Sequence, residues 1–189
     1  MSLSSQTRLA YSPVSVVGYH GCHRDVAERV QAGEPFLASA NGYDWLGSGV
    51  YFWEYAPFRA EEWAKKRYGS GGAMLKATIT LGRCLNLLDT AHFAGLRQAY
   101  ETTVQQMHLA GITIPRNTHT GKHYLDRAIV EAYCLDYAAV TGEPLQTVRG
   151  GFPEGEPVFP GSKILRETHL QVAVRDEACI SDVEMVLFT

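Results

Sequence analysis

β-Branched and aromatic side chains crowd residues 14–20, Val-Ser-Val-Val-Gly-Tyr-His, and this dense run predicts a short strand that delivers His20 at its end. Val26, Ala27 and Val30 then recur at helical spacing, which predicts a helix over 24–33, with Asp25 and Glu28 near its start and Gly33 where a helix stops. Residues 34–48, rich in Gly, Asn and Asp, read as loop. A second short strand is predicted at 49–53, and Pro57 opens a helix through Arg67 that the glycines of 69–72 end. The alternation over 73–81 predicts a central strand, and 84–88 another, joined by a turn at Gly82-Arg83. Two helices follow, at 91–110 and 124–140, with the aperiodic 112–123 between them. Strand chemistry returns at 145–149, 169–174 and 183–187, around a Gly/Pro-rich insertion over 150–161. The sum is α+β without internal repeats.

With 189 residues, 46% of them hydrophobic, the chain can fill one core and hardly two, so a single domain over 1–189 is expected, with 1–13 as a lead-in. A formal net charge of −3 supplies no global basic field for nucleic acid. Cys22, Cys84, Cys134 and Cys179 stand singly, without a C-x-x-C pair or zinc spacing, and read as reduced, buried thiols. No apolar run has the length of a signal peptide core or a bilayer span, so a cytoplasmic protein with no membrane partner is expected.

Two short motifs carry candidate chemistry. In Tyr19-His20-Gly21-Cys22 the imidazole can bond a sugar hydroxyl, while the unshielded Gly21 backbone can pair its N–H and C=O with a planar amide. In Gly47-Ser48-Gly49-Val50-Tyr51-Phe52 the Tyr51 ring can lie flat against an aromatic ligand, although between Val50 and Phe52 it equally suits core packing.

These residues, with Ala60 and Ala64 on the following helix and the late strand Leu170-Gln171-Val172-Ala173-Val174, resemble the signature strands of ADP-ribosyltransferases of the diphtheria-toxin and poly(ADP-ribose) polymerase branch. The likeness extends from Val16 to Ile180. It implies a split, mainly antiparallel sheet and NAD as a substrate held between two half-sheets, with no metal. Carried over, it gives His20 the adenosine-side ribose, the Gly21 backbone the carboxamide, and Tyr51 the nicotinamide ring. The third catalytic position falls on Gln171, where that branch usually has Glu. Trp63 is the first choice for the opposite face of the nicotinamide, with Tyr43 and Trp45 as rivals.

The neutral Gln171 has a chemical consequence. Breaking the nicotinamide–ribose bond builds positive charge on the sugar, which a carboxylate stabilises better than an amide, and Gln cannot act as a base. The implied activity is therefore transfer of single ADP-ribose units, with chain elongation disfavoured; an NAD- or ADP-ribose-binding module with weak or no turnover, and an NAD glycohydrolase, remain alternatives. The acceptor, whether protein, nucleic acid or small molecule, is left open. Glu154 and Glu156, on the insertion before the late strand, are candidates to supply the missing carboxylate, or else belong to a solvated turn.

Other groupings have blander readings. Cys22-His23 does not make a thiol–imidazole pair, because neighbours on a strand point to opposite faces. His108, His119, His123 and Asp126 include only one close pair in an aperiodic region, which suits a solvated loop better than a metal site. Arg127 and Glu131, four apart on a predicted helix, suit a structural ion pair, and Asp136 on the same helix is also read as structural.

Overall fold

The computed structural model describes residues 11–39, 41–118 and 121–188. Six strands and four α-helices alternate in an α+β arrangement: β1 (Tyr11–His23), α1 (Arg24–Gln31), β2 (Val50–Glu54), α2 (Pro57–Tyr68), β3 (Gly72–Asn86), α3 (Phe93–Leu109), α4 (Tyr124–Thr141), β4 (Thr147–Phe152), β5 (His169–Val174) and β6 (Ile180–Val186). The strand order is β1-β2-β5-β4-β3-β6, and β1 pairs with β3 as well. Every pairing is antiparallel except β3 with β4.

The sheet falls into two halves. β1, the first part of β3 and β6 form one; β2, β5 and β4 form the other. β3 spans both, pairing with β1 and β6 early and with β4 at Cys84–Asn86. Here the expected turn at Gly82-Arg83 is corrected: β3 runs through it. Gly82 takes a positive φ of 58°, which most side chains resist, and so bends the strand without ending it, because partners wait on both sides.

Other boundaries shift for the same reason, the presence of a partner. β1 begins at Tyr11, inside the expected lead-in, and continues past His20 to His23, because β3 ladders with it from Tyr11↔Arg83 to His23↔Gly72. β4 runs on through Gly150 and Gly151, assigned above to the insertion, because both pair with β5. Residues 1–10 lie outside the described part of the chain.

The two larger cores lie on opposite faces of the second half-sheet, and a small third cluster packs Trp53 with Ala60 of α2 and Met74 of β3. Phe52 and Val172 face inward with Leu75 and Ile79 of β3 and with Ala27 and Val30 of α1. Val148 and Ala173 face the other way, against Val130, Cys134 and Tyr137 of α4. A period of two along β5 therefore sends Val172 into one core and leaves His169, Gln171 and Ala173 on the opposite face. Among the described residues no helix is long and apolar enough to cross a membrane.

Candidate functional site

The cleft starts where the two halves part. β1 and β2 pair only at Gly18↔Glu54 and Tyr19↔Trp53. One residue later, His20 reaches β2 through its side chain, Nδ1 lying 2.8 Å from the Tyr51 carbonyl. A carbonyl can only accept, so Nδ1 carries the proton and Nε2 keeps its lone pair. Burial lowers the His20 pKa, with the Tyr51 carbonyl opposing it, and the ring is neutral at pH 7.

Gly21 is needed for a different reason. A Cβ there would stand 2.6 Å from the Ala60 carbonyl oxygen and 3.2 Å from both Ala64 Cβ and Trp63 Cε3, so only glycine lets α2 press onto β1 at this point. That contact also places the Trp63 indole beside the His20-Gly21 step.

Tyr51 is fixed by its hydroxyl, which donates to the Gly47 carbonyl at 2.7 Å and accepts from the Leu46 N–H at 2.9 Å. Burial, and then the nearby Asp44 carboxylate, push the phenol pKa up, so the hydroxyl stays protonated and its donor and acceptor roles are both spent on the loop. The loop is itself held from α4. Glu131 accepts from the Ser48 N–H and pairs with Arg175, Nη2 to Oε2 at 2.8 Å, while Arg127 donates to Ser48 Oγ at 3.1 Å. The expected Arg127–Glu131 pair is therefore corrected, since Arg175 has taken the carboxylate and Arg127 has turned to the loop. Burial alone raises the Glu131 pKa, but the Arg175 and Ser48 donors outweigh it and hold the carboxyl at about 2.

Gln171 sits in mid-sheet, opposite Trp53 of β2 and Gly150 of β4. Its side-chain amide has no hydrogen-bond partner among the described residues. His20, Gly21, Tyr51, Trp63 and Gln171 all line one cavity of about 540 Å³. Tyr43 and Trp45 line it too, but one Trp45 face is covered by His123, stacked at 3.7 Å and 7°. Of the two candidate carboxylates, Glu154 lines the cavity, and its Oε2 lies 3.8 Å from the Arg59 guanidinium. Glu156 is not in the lining; its backbone carbonyl accepts from Arg166 N.

Phe152, His169 and Trp53, which the sequence reading did not single out, join Trp45 and Trp63: in the order Trp45, Phe152, His169, Trp53, Trp63 the rings follow one another, with centroids 4.0 to 6.3 Å apart, and make an aromatic wall. For His169 a signal existed, since it lies two residues before Gln171 and shares its face. His123 had none, because its loop has no period. Its Nδ1 is 3.2 Å from Asp126 Oδ2. His119 lies outside the described residues, and among those described no group of three His, Cys, Asp or Glu side chains could hold a metal ion. All four cysteines are free and buried; burial pushes the Cys22, Cys84 and Cys134 thiols up to about 11, which makes them inert as nucleophiles.

No family model matches the chain, and no curated protein matches it. Among solved structures it is similar to the crystal structure of an anti-CRISPR protein, with a TM-score of 0.40 and 9% sequence identity over 93% of this chain and 98% of that one.

Proposed function

We propose that the protein is an NAD-dependent mono-ADP-ribosyltransferase that holds NAD in the cleft between the half-sheets. The observation that carries this reading is the convergence of His20, Gly21, Tyr51 and Gln171, from three strands distant in sequence, on one cavity of about 540 Å³, a volume suited to a ligand of this size. The groups fit NAD chemically. Neutral His20 offers an Nε2 lone pair to a ribose hydroxyl, the Tyr51 ring offers a rigid face to nicotinamide, and Trp63 stands ready to cover it from α2. The unengaged Gln171 amide is free to bond the nicotinamide-ribose hydroxyls.

In this mechanism the nicotinamide leaves with the glycosidic electron pair and a nucleophile captures C1′ of the ribose. Rate comes from holding the dinucleotide in one pose and from dipoles around the sugar, with Gln171 orienting the ribose and Glu154, which lines the cavity, as the candidate carboxylate. A second reading, an NAD-binding module without turnover, is favoured by one observation, the neutral Gln171. Nicotinamide release followed over hours separates the two. The transferase reading expects slow release that Gln171→Glu speeds tenfold or more; no release from either protein contradicts it. Free ADP-ribose as the sole product under every acceptor condition would instead mark a glycohydrolase.

A further inference from the structure

His169 is a buried polar side chain in the cavity lining that the preceding account does not use. It is 7% exposed, lines the cavity, and shares a sheet face with Gln171, two residues on. Its Nδ1 lies 2.6 Å from the Glu167 carbonyl, so Nδ1 carries the proton and Nε2 the lone pair. That Nε2 is buried without a hydrogen-bond partner among the described residues. Such an atom in a well-packed wall calls for a partner from outside the chain. Phe152, directly across β4, stacks on the ring at 5.4 Å and 18° and keeps the imidazole in place.

We propose that His169 receives the proton of the acceptor, and that the acceptor's nucleophile is an uncharged hydroxyl, of water or an alcohol, seated between His169 and Gln171. This rests on the NAD reading above and assigns the step that Gln171 cannot perform. An oxygen lone pair of the hydroxyl forms the new bond to C1′, the C1′–N bond to nicotinamide breaks with its electrons going to the ring nitrogen, and the O–H proton passes to Nε2 and then to solvent. Among the described residues the Gln171 side chain has no hydrogen bond to hold it, and it can yield to admit the oxygen.

The surroundings support a neutral imidazole. Burial lowers the His169 pKa; the Glu167 carbonyl and the Glu154 and Glu167 carboxylates oppose this, and Arg59 on α2 reinforces it, with the net direction downward. Arg59 faces the ring from α2, and Glu154 and Glu167 from the segment before β5, while Trp53 and Phe152 on the adjoining strands carry no charge. A base of this kind assists a hydroxyl whose acidity rises as it attacks. A guanidinium or an ammonium has no free lone pair to attack with until a proton has left, and an imidazole, whose conjugate acid lies several pKa units below theirs, does not remove that proton ahead of attack.

The test uses the full chain with NAD, and methanol and free arginine as competing acceptors. The expected result is methyl ADP-riboside and no arginine adduct. His169→Gln should lower turnover at saturating NAD a hundredfold, leave the NAD-induced thermal shift unchanged, and abolish the acid limb of the pH–rate profile. An arginine adduct, turnover within twofold of wild type in His169→Gln, or an unaltered acid limb overturns the proposal while leaving the NAD reading standing. NAD binding without nicotinamide release also overturns it. A wild-type protein that shows no thermal shift with NAD overturns the NAD reading, and this proposal with it. Should His169→Gln misfold, His169→Asn gives the same comparison, judged by the same limits.

Discussion

The two walls of the cleft differ in how their polar atoms are spent. On the β1–β2 side, the His20 Nδ1 proton goes to the Tyr51 carbonyl, both capacities of the Tyr51 hydroxyl go to the loop, and Glu131, Arg175 and Arg127 secure that loop. On the β5 side, the His169 Nε2 and the Gln171 amide have no such engagement. One wall is set before any ligand arrives; the other keeps its hydrogen-bonding capacity in reserve. Preorganisation is useful where a large substrate must be held in one pose, and unspent donors and acceptors are useful where bonds change.

The two walls therefore respond differently to mutation. The largest effect is expected at Glu131. Glu131→Ala strips the Ser48 N–H of its acceptor and leaves Arg175 half-buried without its partner, at a cost of about 3 kcal/mol in unfolding free energy, measured by urea denaturation. A loss under about 1 kcal/mol would break the contrast, because it would mean that the loop holds Tyr51 without help from α4.

The same carboxylate gives a pH signature. Because the folded-state pKa of Glu131 is depressed from 4.5 to about 2, its contribution is fully present above pH 4.5 and is lost as the pH falls toward 2. Wild-type stability should drop through that window more steeply than that of Glu131→Gln. Equal slopes would remove the network from the account. The smallest effect belongs to the opposite wall: Gln171→Ala, which breaks no hydrogen bond, should change stability by less than about 0.5 kcal/mol while altering what happens to bound NAD.

The same contrast marks how much the sequence could say. His20, Gly21 and Tyr51 were legible because each sits in a strand whose composition announces it, and Gln171 only through the resemblance of its strand to a family's third signature strand. The cleft-facing aromatic wall was not legible as a whole: Trp45 and Trp63 stood as candidates for one ring face, but Phe152 and Trp53 look like ordinary core residues until the topology brings β4 and β2 together. Long-range pairing also moved the strand ends. Gly82 and Gly150 carry local turn chemistry, yet β3 and β4 continue through them because a neighbouring strand is there to pair with, and no local window contains that neighbour. Glu131 was seen as an ion-pair former but given the wrong partner, since Arg175 is remote in sequence and adjacent only in the fold.

The central claim, that NAD binds where His20, Tyr51 and Gln171 meet, is tested most directly by thermal unfolding with and without NAD, for wild type and Tyr51→Ala. The account predicts an upward shift for wild type equivalent to about 2.7 kcal/mol at a hundredfold excess over Kd, and none for Tyr51→Ala. No shift at millimolar NAD in the wild-type protein, or an equal shift in both proteins, contradicts it.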